Sequence, residues 1–329
     1  NIKIMLSDKN TTRSSIEIVA PANSMIHINP ALIEIGKQRL SSEFDVDVRF
    51  GASVFQNNLF ASSTPQNRAH DIHEAILNKN NIAIIAAYGG YNTNDILPFL
   101  DYDLIASSQI PFVGYSDFTV LLNAVYAKTS RRSILGPAFI SLCDPNMFQS
   151  ALLSLKSALD REKNIVLKAP ESSACDDWYL KDQFGPREIY SHSGWIPYHR
   201  GHVTAKVVGG NLESFIALLG TPFFPSCEGH ILLVEANINE PPGRFVRDFI
   251  HLKQAGILEE IKGVIIGQFG PDSPLSGEGF KDILDFVFDS PQYPIVYNVN
   301  VSHVDPILSV PIGGEVLLRV DDTPEILIL

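Results

Sequence analysis

The stretch Ile110-Pro111-Phe112-Val113-Gly114-Tyr115-Ser116-Asp117-Phe118 decides how this chain is read. A short apolar run ends in glycine, a serine follows, and residues 117–128 then carry a helical pattern. A continuous apolar run of this length is how a buried parallel strand looks in sequence. A strand feeding directly into a helix is the repeating unit of an α/β sheet. Such sheets gather their sites beyond the carboxyl ends of the strands, where Ser116 would stand. A sharp turn there exposes the hydroxyl and leaves the Asp117 N–H facing an incoming oxyanion at a helix start. Serine and aspartate are also good helix caps, and for this segment alone a cap is the commoner outcome. The segment departs from G-x-S-x-G as well, because Phe118 stands where the last glycine would be.

The same alternation extends outward in both directions. Upstream, residues 16–20 read as a strand closed by Pro21, and Asn29-Pro30 opens a helix through Arg39. A strand over 45–50, a helix over 66–79 and a buried strand over 82–87 follow. The last ends at Tyr88-Gly89-Gly90-Tyr91-Asn92-Thr93-Asn94-Asp95. Residues 96–100 read as a short helix or turn, and residues 1–14 as a loose polar arm. Downstream, residues 170–200 mix Pro, Ser, Asp, Trp and His without a period. A strand over 203–208, a Gly209-Gly210-Asn211 turn and a helix over 212–219 restart the pattern. Strands at 231–235 and 263–267 and helices at 243–254 and 281–288 continue it. The expectation is an α/β protein with a mostly parallel N-terminal sheet. Its divisions are an N-terminal domain over 1–169, an excursion over 170–201 and a C-terminal domain over 202–329.

Composition narrows the function. The 329 residues carry 37 acidic against 25 basic side chains, a formal net charge of −12. That balance opposes nucleic acid, whose binding rests on phosphate neutralisation, and an anionic membrane surface. The three cysteines, Cys143, Cys175 and Cys227, form no C-x-x-C pair, which argues against a disulfide framework or a cysteine zinc site. No apolar run approaches the roughly 18 residues of a membrane helix, and no signal peptide is visible. A cytoplasmic location is expected.

Three further features carry chemistry. The paired glycines Gly89 and Gly90 follow a buried strand and would lie beside Ser116, where an N–H could serve as a second oxyanion donor; a tight turn is the alternative. Glu235 ends an apolar strand, where a carboxylate is costly unless it is paired, for instance with a histidine, or solvated. His303, in Val301-Ser302-His303-Val304-Asp305-Pro306, is a candidate base among nine histidines. His192, His199 and His202 lie close in sequence without metal-ligand spacing and read as linker or surface residues.

Together these segments resemble the L,D-carboxypeptidase family of serine peptidases, which includes the microcin C immunity proteins. The resemblance runs in order through Ile18-Val19-Ala20-Pro21, Gly89-Gly90, Leu97-Pro98-Phe99-Leu100-Asp101, Val113-Gly114-Tyr115-Ser116-Asp117, Gly209-Gly210-Asn211-Leu212, Leu219-Gly220-Thr221-Pro222, Ser302-His303 and Pro311-Ile312-Gly313-Gly314. It implies a Rossmann-like N-terminal domain, a smaller β-rich α/β C-terminal domain and a homodimer, with no metal or organic cofactor. It implies a Ser–Glu–His triad at Ser116, Glu235 and His303, with oxyanion donors on the backbone of Gly90 and Asp117. Gly89, Asn92 and Asn211 are candidate substrate-binding residues. The microcin branch stacks an excursion tryptophan on a nucleotide, which Trp178 or Trp195 would provide.

The segments 91–95 and 101–103 resemble the microcin immunity branch, and Tyr88 replaces the arginine usual in the wall-recycling branch. The chain departs from its relatives at Ala236, where an acidic residue is common. It departs from the microcin branch at 237–240, which holds no cation. The expected partner is a small peptide or peptidyl-nucleotide substrate. Murein tetrapeptide cleavage and a non-catalytic binding module are the alternatives.

Overall fold

The continuous apolar runs become the central strands. Asn81–Ala86, Phe112–Gly114, Ile231–Glu235 and Gly263–Gly267 are buried along nearly their whole length. Burial on both faces removes the need for alternation. The computed structural model describes residues 13–180, 184–277 and 279–329. Residues 1–12 of the expected arm lie outside the described residues. Arg13 pairs with Asp45 at 2.8 Å and Asp47 at 3.1 Å.

The main sheet runs through the whole molecule. From one edge its strands are Asp47–Phe50, Ser15–Val19, Asn81–Ala86, Phe112–Gly114 and Ser133–Leu135. Then come Val310–Ile312, Gly201–Asn211, Ile231–Glu235, Gly263–Gly267, Ile295–Val299 and Ile196–His199. The first five are parallel to one another. Gly201–Asn211, Ile231–Glu235, Gly263–Gly267 and Ile295–Val299 form a second parallel block. The blocks are joined by Val310–Ile312, antiparallel to Ser133–Leu135 and parallel to Gly201–Asn211. Glu315–Val320 and Glu325–Ile328 continue from the long strand as an antiparallel extension to Ile165–Leu167. The expected α/β class with a mostly parallel sheet is what the chain adopts. Both halves share one sheet rather than facing each other as separate sheets.

The helix Pro30–Phe44 begins where Asn29-Pro30 predicts, with the Asn29 side chain accepting the Ala31 N–H, and runs five residues past Arg39 to a left-handed Asp45. Pro65–Leu77 and Pro242–Gln254 likewise start on proline. The sequence pattern marks no element between 129 and 169, yet the helices Phe139–Leu142 and Gln149–Leu159 form there.

Gly209-Gly210-Asn211 is a correction: these residues are the last three of an eleven-residue strand, not a turn. Gly209 pairs with Leu233, Gly210 with Val234 and Asn211 with Glu235. The glycines answer a different demand. Their φ angles are 112° and 137°; a Cβ on Gly209 would overlap the Leu233 carbonyl, and one on Gly210 the Thr119 hydroxyl. The backbone therefore passes directly under the helix Thr119–Thr129. Asn123 donates to the Gly209 carbonyl at 2.8 Å and accepts its N–H at 3.0 Å, and Thr119 Oγ1 accepts the Asn211 N–H at 2.9 Å. The helix that follows Ser116 is thus docked onto the C-terminal half.

Candidate active site

Ser116 leaves the Phe112–Gly114 strand and opens a one-turn 3₁₀ helix, Ser116–Phe118. Its φ of 58° is left-handed, a conformation that costs a non-glycine residue about 1–3 kcal/mol and turns the side chain out of the sheet. Gly114 permits the tightness, because a Cβ there would lie 2.6 Å from the Phe118 ring and 2.8 Å from Ala86. Since the turn begins at Ser116, the Asp117 N–H is one of the donors that a helix start leaves without an intrahelical acceptor.

The glycine loop lies against this elbow. A Cβ on Gly89 would sit 3.1 Å from Ser116 Oγ, and one on Gly90 2.8 Å from Ala22. The Gly89 carbonyl accepts the Asn23 N–H at 3.1 Å. The buried Asp117 carboxylate clamps loop and elbow together, accepting the Thr93 N–H at 2.8 Å and the Thr93 hydroxyl at 2.7 Å. Burial raises the Asp117 pKa, and the Thr93 hydrogen bonds pull against that rise. Behind the loop, the buried Arg68 guanidinium donates to the Asn92 carbonyl at 2.9 Å and pairs with Asp95 at 2.8 Å.

Glu235 is fully buried at the end of its strand, as costly a position as the sequence implies. Gly267 on the next strand makes room, since a Cβ there would press on Glu235 Cβ at 2.7 Å. Glu235 Oε2 lies 2.7 Å from His303 Nδ1, and His303 Nε2 lies 3.0 Å from Ser116 Oγ. The Nδ1–H donates to the carboxylate, which leaves Nε2 free to accept from the serine hydroxyl. Burial disfavours the imidazolium. The Glu235 charge and hydrogen bond, helped by the Ala236 backbone, outweigh it and hold the His303 pKa above its ordinary value. The Tyr115 ring packs edge-on against the imidazole at 5.1 Å.

These groups open on a cavity of about 490 Å³ lined by both halves and by the excursion. Gly89, Gly90, Asp117, Asn211 and Trp178 line it with Ser116 and His303, as do Tyr88, Tyr91, Tyr115 and Tyr179. Asn211 also caps the next helix, accepting the Ser214 N–H at 3.1 Å. Two expected substrate contacts lie elsewhere. Asn92 is not in the cavity wall; its carbonyl serves Arg68. Trp195 is buried, donates to Asn300 Oδ1 at 2.9 Å, and packs in the core instead of facing the cavity. Its amphipathic ring reads the same in sequence as that of Trp178, and the fold separates the two by placing Trp178 in the cavity wall.

Thr93 and Asp305 lie in the segments 88–95 and 301–306 that the sequence singles out, but with no role of their own there, and Arg187 lies in a stretch without a period that carries no local signal. Among the described residues, no group of three or more His, Cys, Asp or Glu is placed to hold a metal, and no helix is long and apolar enough to cross a membrane. His192, His199 and His202 each bond separately, to Asn298, Tyr293 and Asp321.

Comparison with known proteins assigns the family. The LD-carboxypeptidase N-terminal domain matches residues 16–136 and the LD-carboxypeptidase C-terminal domain matches residues 204–318. A putative carboxypeptidase of Bacillus subtilis, YocD, is 31% identical, with 94% of each chain covered. The microcin C7 self-immunity protein MccF of Escherichia coli is 28% identical over 84% of this chain and 81% of its own length. The crystal structure of an MccF-like protein from Bacillus anthracis superposes with a TM-score of 0.92 at 28% identity, covering 97% of each chain. The chain belongs to the LD-carboxypeptidase family and is a hydrolase of the carboxypeptidase type.

Proposed function

We propose that the protein is a serine amidase that cleaves through an acyl-enzyme, with Ser116 as nucleophile, His303 as general base and Glu235 orienting the imidazole. The observation that carries this reading is the unbroken line from Glu235 through His303 to the strained Ser116, opening on the cavity. His303 Nε2 takes the serine proton as Oγ attacks the carbonyl carbon, and Glu235 stabilises the imidazolium that forms. The Gly90 and Asp117 N–H groups hold the tetrahedral oxyanion, each worth about 3 kcal/mol of barrier. His303 then protonates the leaving amine, and water, activated the same way, releases the acyl group.

For the substrate we favour a peptidyl or aminoacyl nucleotide over a murein tetrapeptide. Tyr88, Tyr91, Trp178 and Tyr179 give the cavity aromatic faces on which a base can stack. Arg187, a cation of the described lining, is already engaged by three carboxylates, which leaves it unsuited to a free terminal carboxylate. The relationship to a microcin self-immunity protein agrees with this choice.

The test is wild type and Ser116→Ala against a processed microcin C analogue and against murein tetrapeptide. Cleavage of the analogue by wild type, falling by about 10⁴ or more in the variant, is expected. Hydrolysis that survives Ser116→Ala would overturn the nucleophile. Release of D-alanine from the tetrapeptide alone would overturn the substrate class. A wild type inert on both would overturn this choice of substrate.

A further inference from the structure

Arg187 belongs to the excursion, 116 residues upstream of His303 in a stretch without sequence period, yet its guanidinium is buried at the catalytic end of the cavity. Its three nitrogens reach in three directions. Nη1 meets Asp144 Oδ2 at 2.5 Å, Nε meets Asp176 Oδ1 at 2.6 Å and Nη2 meets Asp305 Oδ2 at 3.0 Å. Asp144 follows the Phe139–Leu142 helix of the N-terminal half, Asp176 is in the excursion, and Asp305 is on the loop that carries His303. One side chain therefore joins three segments that share no strand pairing with each other except a single bridge. That bridge is also at Asp305: its N–H donates to the Ala174 carbonyl at 2.8 Å, and its carbonyl accepts the Ala174 N–H at 3.0 Å.

The His303 loop needs such a tie. Residues 300–309 lie between the Ile295–Val299 and Val310–Ile312 strands and have no helix or strand of their own to fix them. Base-to-nucleophile distance depends on where this loop rests, and a shift on the order of 1 Å can cost about a hundredfold in rate.

We propose that Arg187 is a positioning residue for the reaction: through Asp305 it fixes the His303 loop within reach of Ser116 and makes the excursion part of the catalytic scaffold. This rests on the reading of Ser116 and His303 as nucleophile and base. Arginine suits the place because its planar fork serves several carboxylates at once, which a lysine ammonium cannot do. Burial raises the Asp305 pKa to about 6, against the pull of Arg187, with Asp144 and Asp176 adding to the rise. Arg187 thus also helps keep an anion beside His303. The charged and titratable groups facing Asp305 are Arg187, Asp144, Asp176, Tyr115, Tyr190 and His303; those facing His303 are Glu235, Asp305 and Tyr115.

The experiment measures the rate of fluorophosphonate labelling against pH in wild type, Ser116→Ala, Arg187→Met, Arg187→Lys and Asp305→Asn, with circular dichroism on each. Wild type is expected to label and Ser116→Ala not to. Folded Arg187→Met should label roughly ten- to a hundredfold more slowly, and Arg187→Lys should recover part of the loss. In Asp305→Asn the imidazolium loses a stabilising anion, so the rising limb of the profile should move to lower pH. If Arg187→Met fails to fold, the near-isosteric Asp305→Asn decides. Folded Arg187→Met or Asp305→Asn that labels at the wild-type rate with the wild-type profile would overturn the positioning role while leaving the nucleophile intact. A wild type that does not label would overturn the reading on which it rests.

Discussion

Ser116 and His303 reach the same cavity from opposite kinds of scaffold. Ser116 leaves a strand end and enters a helix, so its direction is fixed by residues within a few positions of it, namely Gly114, Asp117 and Phe118. His303 sits on an irregular loop and is held from far away, by Glu235 directly and by the excursion through Asp305. The first arrangement stores its strain locally, in one left-handed serine. The second depends on long-range ties, each of which orders a loop against its entropy. The proposed nucleophile is a property of an elbow, whereas the proposed base is a property of the assembled fold.

The largest test of this contrast removes the long-range tie that lies closest to the chemistry, the Glu235 carboxylate on His303 Nδ1. Glu235→Gln keeps the shape but lets the imidazole adopt the wrong tautomer, and kcat/KM should fall by about 10⁴. Glu235 holds the His303 pKa up, so the residual activity should rise with pH through a lower midpoint than in wild type. An unchanged midpoint in the pH–rate profile would show that the carboxylate does not govern the base.

The next test breaks the join between the halves. Gly209→Ala places a methyl at a φ of 112° against the Leu233 carbonyl, and should lower stability by roughly 3 kcal/mol or more. Because one sheet runs through both halves, thermal melts by near-ultraviolet and far-ultraviolet circular dichroism should move down together. Separation into two transitions would mean that each half is an independent unit.

The smallest test acts on the elbow side. Thr93→Val deletes the hydroxyl that donates to Asp117 at 2.7 Å but keeps the backbone N–H at 2.8 Å. Losing one donor to a buried carboxylate should cost about 1–3 kcal/mol of stability. On the proposed mechanism a kcat loss of around tenfold with KM little changed should accompany it, since the clamp holds the proposed oxyanion donors. A change in KM alone would place Thr93 in substrate binding instead.

Much of the Ser116 side is legible in the sequence because its signals are local. Apolar runs ending in glycine mark buried parallel strands, and a serine after such a run marks an elbow or a cap. The C-terminal half was less legible where glycine had two meanings. Gly209 and Gly210 read as a turn, yet the strand continues through them because a helix packs on their backbone. Trp178 and Trp195 were indistinguishable for the same reason: a tryptophan's environment is not written in its neighbours.

The sequence by itself determined the α/β class, the place of Ser116 at a strand end, and the resemblance that joined Ser116, Glu235 and His303. Those depend on periodicity and on motif order, which are properties of the chain. Only the tertiary structure decided that both halves share one sheet, that Trp178 and not Trp195 faces the cavity, and that Arg187 reaches Asp144, Asp176 and Asp305. Those pairs span 11, 43 and 118 residues and leave no local pattern, because their partners are chosen by packing and desolvation after the chain has folded.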